Sequence, residues 1–241
     1  MANFNTHFIV AASASAVLSG TLLSMEVVSP EQGVVAFLLG TLGGLLPDVD
    51  SARSTSIKVA FNVLSLLLTI MMIFVKSSTY SILEMLVLAT IIFVGIRYGF
   101  LEIFRKISKH RGMFHSVPVA FIWGVGIAIL MQYFFALNSL VSWVYGLMVT
   151  FGYLVHLTLD EIYSVDLGNR RVKKSLGTAL KFYNFKTSTD IVHTSIIYCL
   201  LVGLFMIAPD TELVINALFS QDAWLNFKDV LLPYDGKWFL H

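Results

Sequence analysis

Long apolar runs alternate with short polar breaks along this chain of 241 residues. Residues 57–75, 80–97, 117–135, 139–159 and 190–208 each predict a helix long and apolar enough to cross a bilayer, the first interrupted by Lys58 and Asn62. Residues 8–25, rich in Ala and Ser, predict a weaker span. Residues 33–46 are apolar but only fourteen long, and contain Gly33, Gly40, Gly43 and Gly44. A simple span needs about twenty residues, so this stretch predicts either a short tilted helix packed through its glycines or one limb of a re-entrant hairpin. Pro30 and Pro209 mark the edges of spans, as expected of residues that interrupt helices. The pattern as a whole predicts an all-α, polytopic transmembrane bundle of about six or seven helices over residues 1–208. Residues 209–241 break it, with Asp210, Glu212, Asp222, Asp229 and Asp235 set among Trp224, Phe227, Leu231 and Trp238. They predict a small extramembrane tail, partly helical, resting on the surface.

Composition supports the bilayer as a partner. The chain is 57% hydrophobic and 13% charged, where a soluble domain would carry about a quarter charged residues. Its mean hydropathy is +0.80. A net charge of +1 gives no reason to expect a nucleic-acid partner. The single cysteine, Cys199, excludes an intramolecular disulfide and a cysteine-cluster metal site. No basic residue precedes the first apolar stretch, so the N-terminus is expected to be retained and not cleaved as a signal peptide.

Charge also predicts orientation. Arg53 and Lys58; Arg97, Arg105, Lys106, Lys109 and Arg111; and Arg170, Arg171, Lys173, Lys174, Lys181 and Lys186 account for thirteen of the sixteen basic residues. Two spans separate each cluster from the next, so an up-and-down trace places all three on one side. The positive-inside rule makes that side cytoplasmic and sends the acidic tail to the other.

The same trace gathers the chain's candidate chemistry. Asp48 and Asp50, His110 and His115, and His156 and Asp160 all fall at cytoplasmic ends of spans, and His7 joins them if 8–25 and 33–46 run out and back. Asp and His are costly beside lipid and mark functional sites there. His156 and Asp160, four apart on a helix, share a face and can point at one ion, although the same spacing also makes an ordinary hydrogen-bonded pair. Pro47 should end its helix near Leu46 and leave Asp48 and Asp50 on a turn. Two such carboxylates repel unless a cation lies between them, or they cap a helix. His110 and His115 diverge by roughly 140° on a continuous helix, so Gly112 between them predicts a loop. Ser116 then predicts an N-cap, with Pro118 in the first turn. Arg111 can grip a phosphate or carboxylate with two parallel hydrogen bonds, or simply face anionic headgroups. His193 and His241 are expected to play no part in the site.

Taken in order, His7, Leu46-Pro47-Asp48-Val49-Asp50, His110-Arg111-Gly112-Met113-Phe114-His115-Ser116 and Gly152-Tyr153-Leu154-Val155-His156 through Asp160 resemble the motifs of the YdjM-like family of membrane-bound, metal-dependent hydrolases. The resemblance covers roughly residues 1–190. It departs from many relatives at Ser51-Ala52, where they have His-Pro, and after Asp160, where they have Thr-Pro-Gly and this chain has Glu161-Ile162-Tyr163. The scatter of His and Asp is more loosely similar to zinc-dependent phospholipase C enzymes. The resemblance implies an inner-membrane hydrolase with a metal shell drawn from His7, Asp48, Asp50, His110, His115, His156 and Asp160. Asp50, Arg111 and His115 are its candidate catalytic residues, and an anionic lipid or phosphoester its substrate. With no thiolate ligands, zinc is the first candidate metal, as one or two ions, with manganese or iron as alternatives. A non-catalytic bundle tied together by its metal, or an ion transporter, would use the same residues differently; transporters place their sites near the midplane.

Overall fold

The computed structural model describes residues 4–47, 55–100, 102, 115–166, 171, 172, 180–183, 185 and 187–232. Among them the regular structure is helical apart from one short antiparallel pairing, β1 (Val165–Asp166) with β2 (Arg171–Val172), and an isolated parallel bridge between Ser116 and Lys181. The helices are α1 (Phe4–Ser24), α2 (Pro30–Gly43), α3 (Thr55–Lys76), α4 (Ile82–Val94, continued as a π-turn through Phe100), α5 (Val117–Ile129, continued as a π-turn through Phe134), α6 (Ser139–Ser164), α7 (Ser188–Met206), α8 (Glu212–Phe219) and α9 (Gln221–Leu231). Among the described residues five stretches are long and apolar enough to cross a membrane: Phe4–Ser24, Ile82–Gly99, Val117–Phe134, Ser139–Tyr163 and Ser188–Met206. Phe61–Lys76 is a shorter apolar helix. The expected all-α helical bundle is therefore present, with nine helices among the described residues.

Helix α6 is the axle of the fold and packs against α1, α2, α5 and α8. Lipid is as apolar as leucine, so association here depends on close packing and interhelical hydrogen bonds. Small residues supply both. A Cβ on Gly152 of α6 would strike the carbonyl of Gly40 on α2, and one on Gly43 would strike that of Val149. Gly124 and Gly146 bring α5 and α6 equally close. Ser19 Oγ donates to Gly33 O at 2.6 Å, and Thr150 Oγ1 to Ala120 O at 3.3 Å. By contrast α4 buries no residue, and α7 buries only Thr194. Their apolar side chains are the surface offered to lipid.

Local signals set the helix ends. Ser29 and Ser81 form capping boxes with Gln32 and Glu84 at the starts of α2 and α4, and Thr187 caps α7. Pro30 opens α2, because proline fits the first helical turn where its missing N–H is no loss. Helix α2 ends at Gly43, three residues before the Leu46 boundary expected from Pro47. The N–H groups of Leu45 and Leu46 bond three residues back, to Leu42 O and Gly43 O, and tighten the last turn. Ser116 stands at the N-cap of α5 as expected, but without a side-chain capping bond. Helix α1 starts at Phe4, so His7 lies inside the first span and not ahead of it. The tail forms α8 and α9, which pack on α6 and α1 and bury Val214 and Ala223. Trp143 of α6 donates its indole N–H to Pro209 O at 2.9 Å.

Candidate metal centre

Four ends meet at one level of the bundle: the first turns of α1, the end of α2, His115 two residues before α5, and the last turns of α6. Helix α1 buries His7, Ala11, Ser15, Ser19 and Leu22, a stripe at nearly four-residue steps that turns His7 inward. On α6, Tyr153, His156, Leu157 and Asp160 are buried together, and the four-residue step from His156 to Asp160 aligns their side chains.

The carboxylate of Asp160 is the focus. Its Oδ1 lies 3.4 Å from His7 Nε2, while its Oδ2 lies 3.6 Å from His156 Nε2 and 3.8 Å from His115 Nε2. The side chains of His7, His156 and Asp160 are exposed by only 1%, 0% and 4%; that of His115 is exposed by 11%. The rings of His7 and His156 stack 3.7 Å apart at 9°, and His115 meets His156 edge-on at 5.8 Å.

The tautomer of His156 follows from its neighbour. Its Nδ1 is 2.7 Å from Gly44 O. A carbonyl can only accept, so Nδ1 carries a proton, and Nε2 is the nitrogen that faces Asp160. Gly44 is the C-cap residue of α2, just past the helix end at Gly43, where helix-terminal carbonyls need partners from outside the helix. The glycine is required by space: its Cβ would collide with that of Ala11 on α1.

A divalent ion fits this donor set. One ligand atom from each of His7, His156 and Asp160 lies within 4.8 Å of the others, and the group could hold a metal ion. Two imidazoles and a carboxylate are the donors that zinc, manganese and iron accept. His7 Nδ1 and Asp160 Oδ1 are buried without a hydrogen bond among the described residues.

A family model described as YdjM inner membrane protein matches residues 1–169. The chain belongs to the YdjM inner membrane protein family. No curated protein matches it, and no solved structure does. This family member is an inner-membrane protein by that assignment, in line with its apolar helices. The match stops short of the 1–190 that the motifs suggested and leaves most of the basic stretch after Asp166 outside it.

Of the candidate site residues in this YdjM-family chain, His7, His115, His156 and Asp160 come together. Asp48, Asp50, His110 and Arg111 lie outside the described residues, as do Arg170, Lys173, Lys174 and His241. His193 lies in the first turns of α7. The residue that sequence reasoning missed is Gly44. Its role is carried by a backbone carbonyl, for which only the run of glycines ahead of Pro47 gives a sign.

Proposed function

We propose that this YdjM-family protein is a metal-dependent hydrolase working at the cytoplasmic membrane face on a phosphoester or phospholipid-like substrate. The observation that carries the proposal is the buried His7–His156–Asp160 donor group with His115 beside it. When bound, a divalent ion would supply a water of lowered pKa and stabilise charge on a phosphoryl oxygen. His7, His156 and Asp160 hold the ion, with zinc as the first candidate. Gly44 O fixes the ring of His156, the outer-shell support that metal-binding histidines require. Apolar Leu157 and Tyr153 behind the pair keep bulk water out.

Hydrolysis joins the water oxygen to phosphorus and breaks the bond from phosphorus to the ester oxygen, which leaves with a proton. His115, the most exposed of the four, is the group assigned to give that proton from Nε2. Asp50 and Arg111 keep the roles their motifs imply, in proton abstraction and phosphate neutralisation. The positive-inside distribution supports the cytoplasmic placement of the site, with residues 209–241 on the opposite side.

The test is turnover. Zinc-loaded protein in detergent should hydrolyse a chromogenic phosphodiester or a bacterial phospholipid. Chelation or Asp160→Asn should lower the rate by about a hundredfold or more, as expected when a metal ligand is lost. Equal rates for wild type and Asp160→Asn would refute the assignment. The burial of the group also favours a second reading, an ion that ties α1 to α6 without catalysis. Metal binding with no turnover of any ester would select it.

A further inference from the structure

Residues 180–183 and 185 lie against the rim of the candidate centre. Lys181 pairs in parallel with Ser116, the neighbour of His115, and Val117 N–H donates to Lys181 O at 2.9 Å. From the other side, Tyr198 Oη on α7 donates to Phe182 O at 3.0 Å. The strip is thus pinned between α5 and α7, and His115 Nε2 is in turn 3.8 Å from Asp160 Oδ2.

Its side chains do not suit water. Leu180, Phe182, Tyr183 and Phe185 are all exposed, the last three by more than half, and the rings of Tyr183 and Phe185 stack 4.9 Å apart. Four large apolar side chains within six residues form a patch that a water-facing loop avoids. Helix α7 begins directly after the strip and presents Ile191, Val192 and Ile196 outward, so the patch continues the lipid-facing surface of a span. Aromatic residues gather at that level of a membrane, with rings in the acyl boundary and polar tips among the headgroups. Lys181 lies within the strip and Lys186 just beyond it, and Arg170, Arg171, Lys173 and Lys174 precede it in sequence. Basic residues near a membrane surface attract anionic headgroups, and Lys181 is the described one within the strip.

We propose that Leu180, Lys181, Phe182, Tyr183 and Phe185 form an interfacial lip that binds anionic lipid of the same leaflet, and that the substrate is such a bilayer-resident amphiphile with its headgroup drawn sideways to the centre. The proposal about substrate rests on the hydrolase reading; the lip itself does not. Phe182, Tyr183 and Phe185 hold the acyl region while Lys181 faces the headgroup. The substrate's chains never leave the bilayer, and only its headgroup crosses from the lip to His115.

The experiment uses full-length protein in vesicles, with Cys199→Ser to remove the exposed native thiol and an environment-sensitive fluorophore on Tyr183→Cys. Emission should shift to the blue, be quenched by lipids brominated on their chains, and be quenched more when phosphatidylglycerol replaces phosphatidylcholine. Emission as in water would overturn the lip. A blue shift without quenching by brominated lipid would also overturn it, because protein and not lipid would then cover the strip. For the substrate, the Phe182→Ser/Tyr183→Ser/Phe185→Ser variant is compared with wild type on a long-chain vesicle lipid and a short-chain monomeric ester of the same headgroup. The long-chain to short-chain ratio of kcat/KM should fall by about tenfold or more, the scale of discrimination that apolar contacts provide. An unchanged ratio overturns the substrate class. If wild type cleaves neither ester, the hydrolase reading fails with its substrate, and the fluorescence alone decides the lip.

Discussion

Replacing Gly44 with alanine should loosen the metal while leaving the bundle assembled. Gly44 has φ −67° and ψ −13°, a backbone conformation open to any residue, so the substitution acts through space alone. The added Cβ falls inside 3.0 Å of Ala11 Cβ, where real Cβ atoms do not approach, while ordinary contact begins at 3.4 Å. Helices α1 and α2 must therefore part by at least the 0.4 Å between those two distances. Overpacking of this kind costs about 1–3 kcal/mol. The same displacement lengthens the 2.7 Å bond from His156 Nδ1 to Gly44 O and moves His7, one turn before Ala11, away from Asp160. Loss of such outer-shell support weakens metal affinity by about 10–100-fold. Competition with a chromogenic chelator reads the affinity, and scanning fluorimetry in detergent reads the stability. Ala11→Gly removes the obstructing atom, so the Ala11→Gly/Gly44→Ala pair should recover most of the affinity. Wild-type affinity in Gly44→Ala, or a double variant no tighter than the single one, would refute the claim that this carbonyl sets His156.

Other substitutions probe the rest of the frame. Gly152→Ala would drive a Cβ into Gly40 O, a backbone atom with no room to yield; the loss should reach or exceed the roughly 3 kcal/mol upper range of overpacking, seen as failure to purify as a single detergent-stable species. Trp143→Phe removes the buried donor to Pro209 O. It should cost about 1–3 kcal/mol through the stranded carbonyl and speed proteolysis around residues 209–220, with metal affinity unchanged. His7→Ala deletes one ligand and its stacked ring, so it should weaken metal binding more than Gly44→Ala does, in the same chelator competition.

Much of this arrangement was legible in the sequence, for reasons that differ from residue to residue. The helical step from His156 to Asp160 fixes a shared face before any fold is known. His7 and His115 join the pair only through topology: α1 and α2 run out and back, and α5 and α6 do the same, which returns distant residues to one level. The buried stripe from His7 through Ala11, Ser15 and Ser19 was harder to see, because small residues raise little hydropathy contrast and the span appeared to begin after the histidine. The apolar stretch 33–46 predicts a short helix or a hairpin limb and is a helix over Pro30–Gly43; Pro47 marks its end three residues late because the final turn tightens at Leu45 and Leu46. Backbone acceptors such as Gly44 O leave no side-chain signature at all. The pairing of Ser116 with Lys181 joins residues 65 apart in number and follows no local pattern. Asp48, Asp50, His110 and Arg111 lie outside the described residues, so their motifs stand on sequence alone.

The central claim is that His7, His156 and Asp160 hold a divalent ion, and elemental analysis of the purified protein addresses it most directly. Wild type purified without chelator should carry near-stoichiometric zinc, manganese or iron, and Asp160→Asn and His156→Ala, purified as folded species, should carry little. Absence of metal from all three after incubation with each ion in turn, or equal metal in all three, would contradict the account.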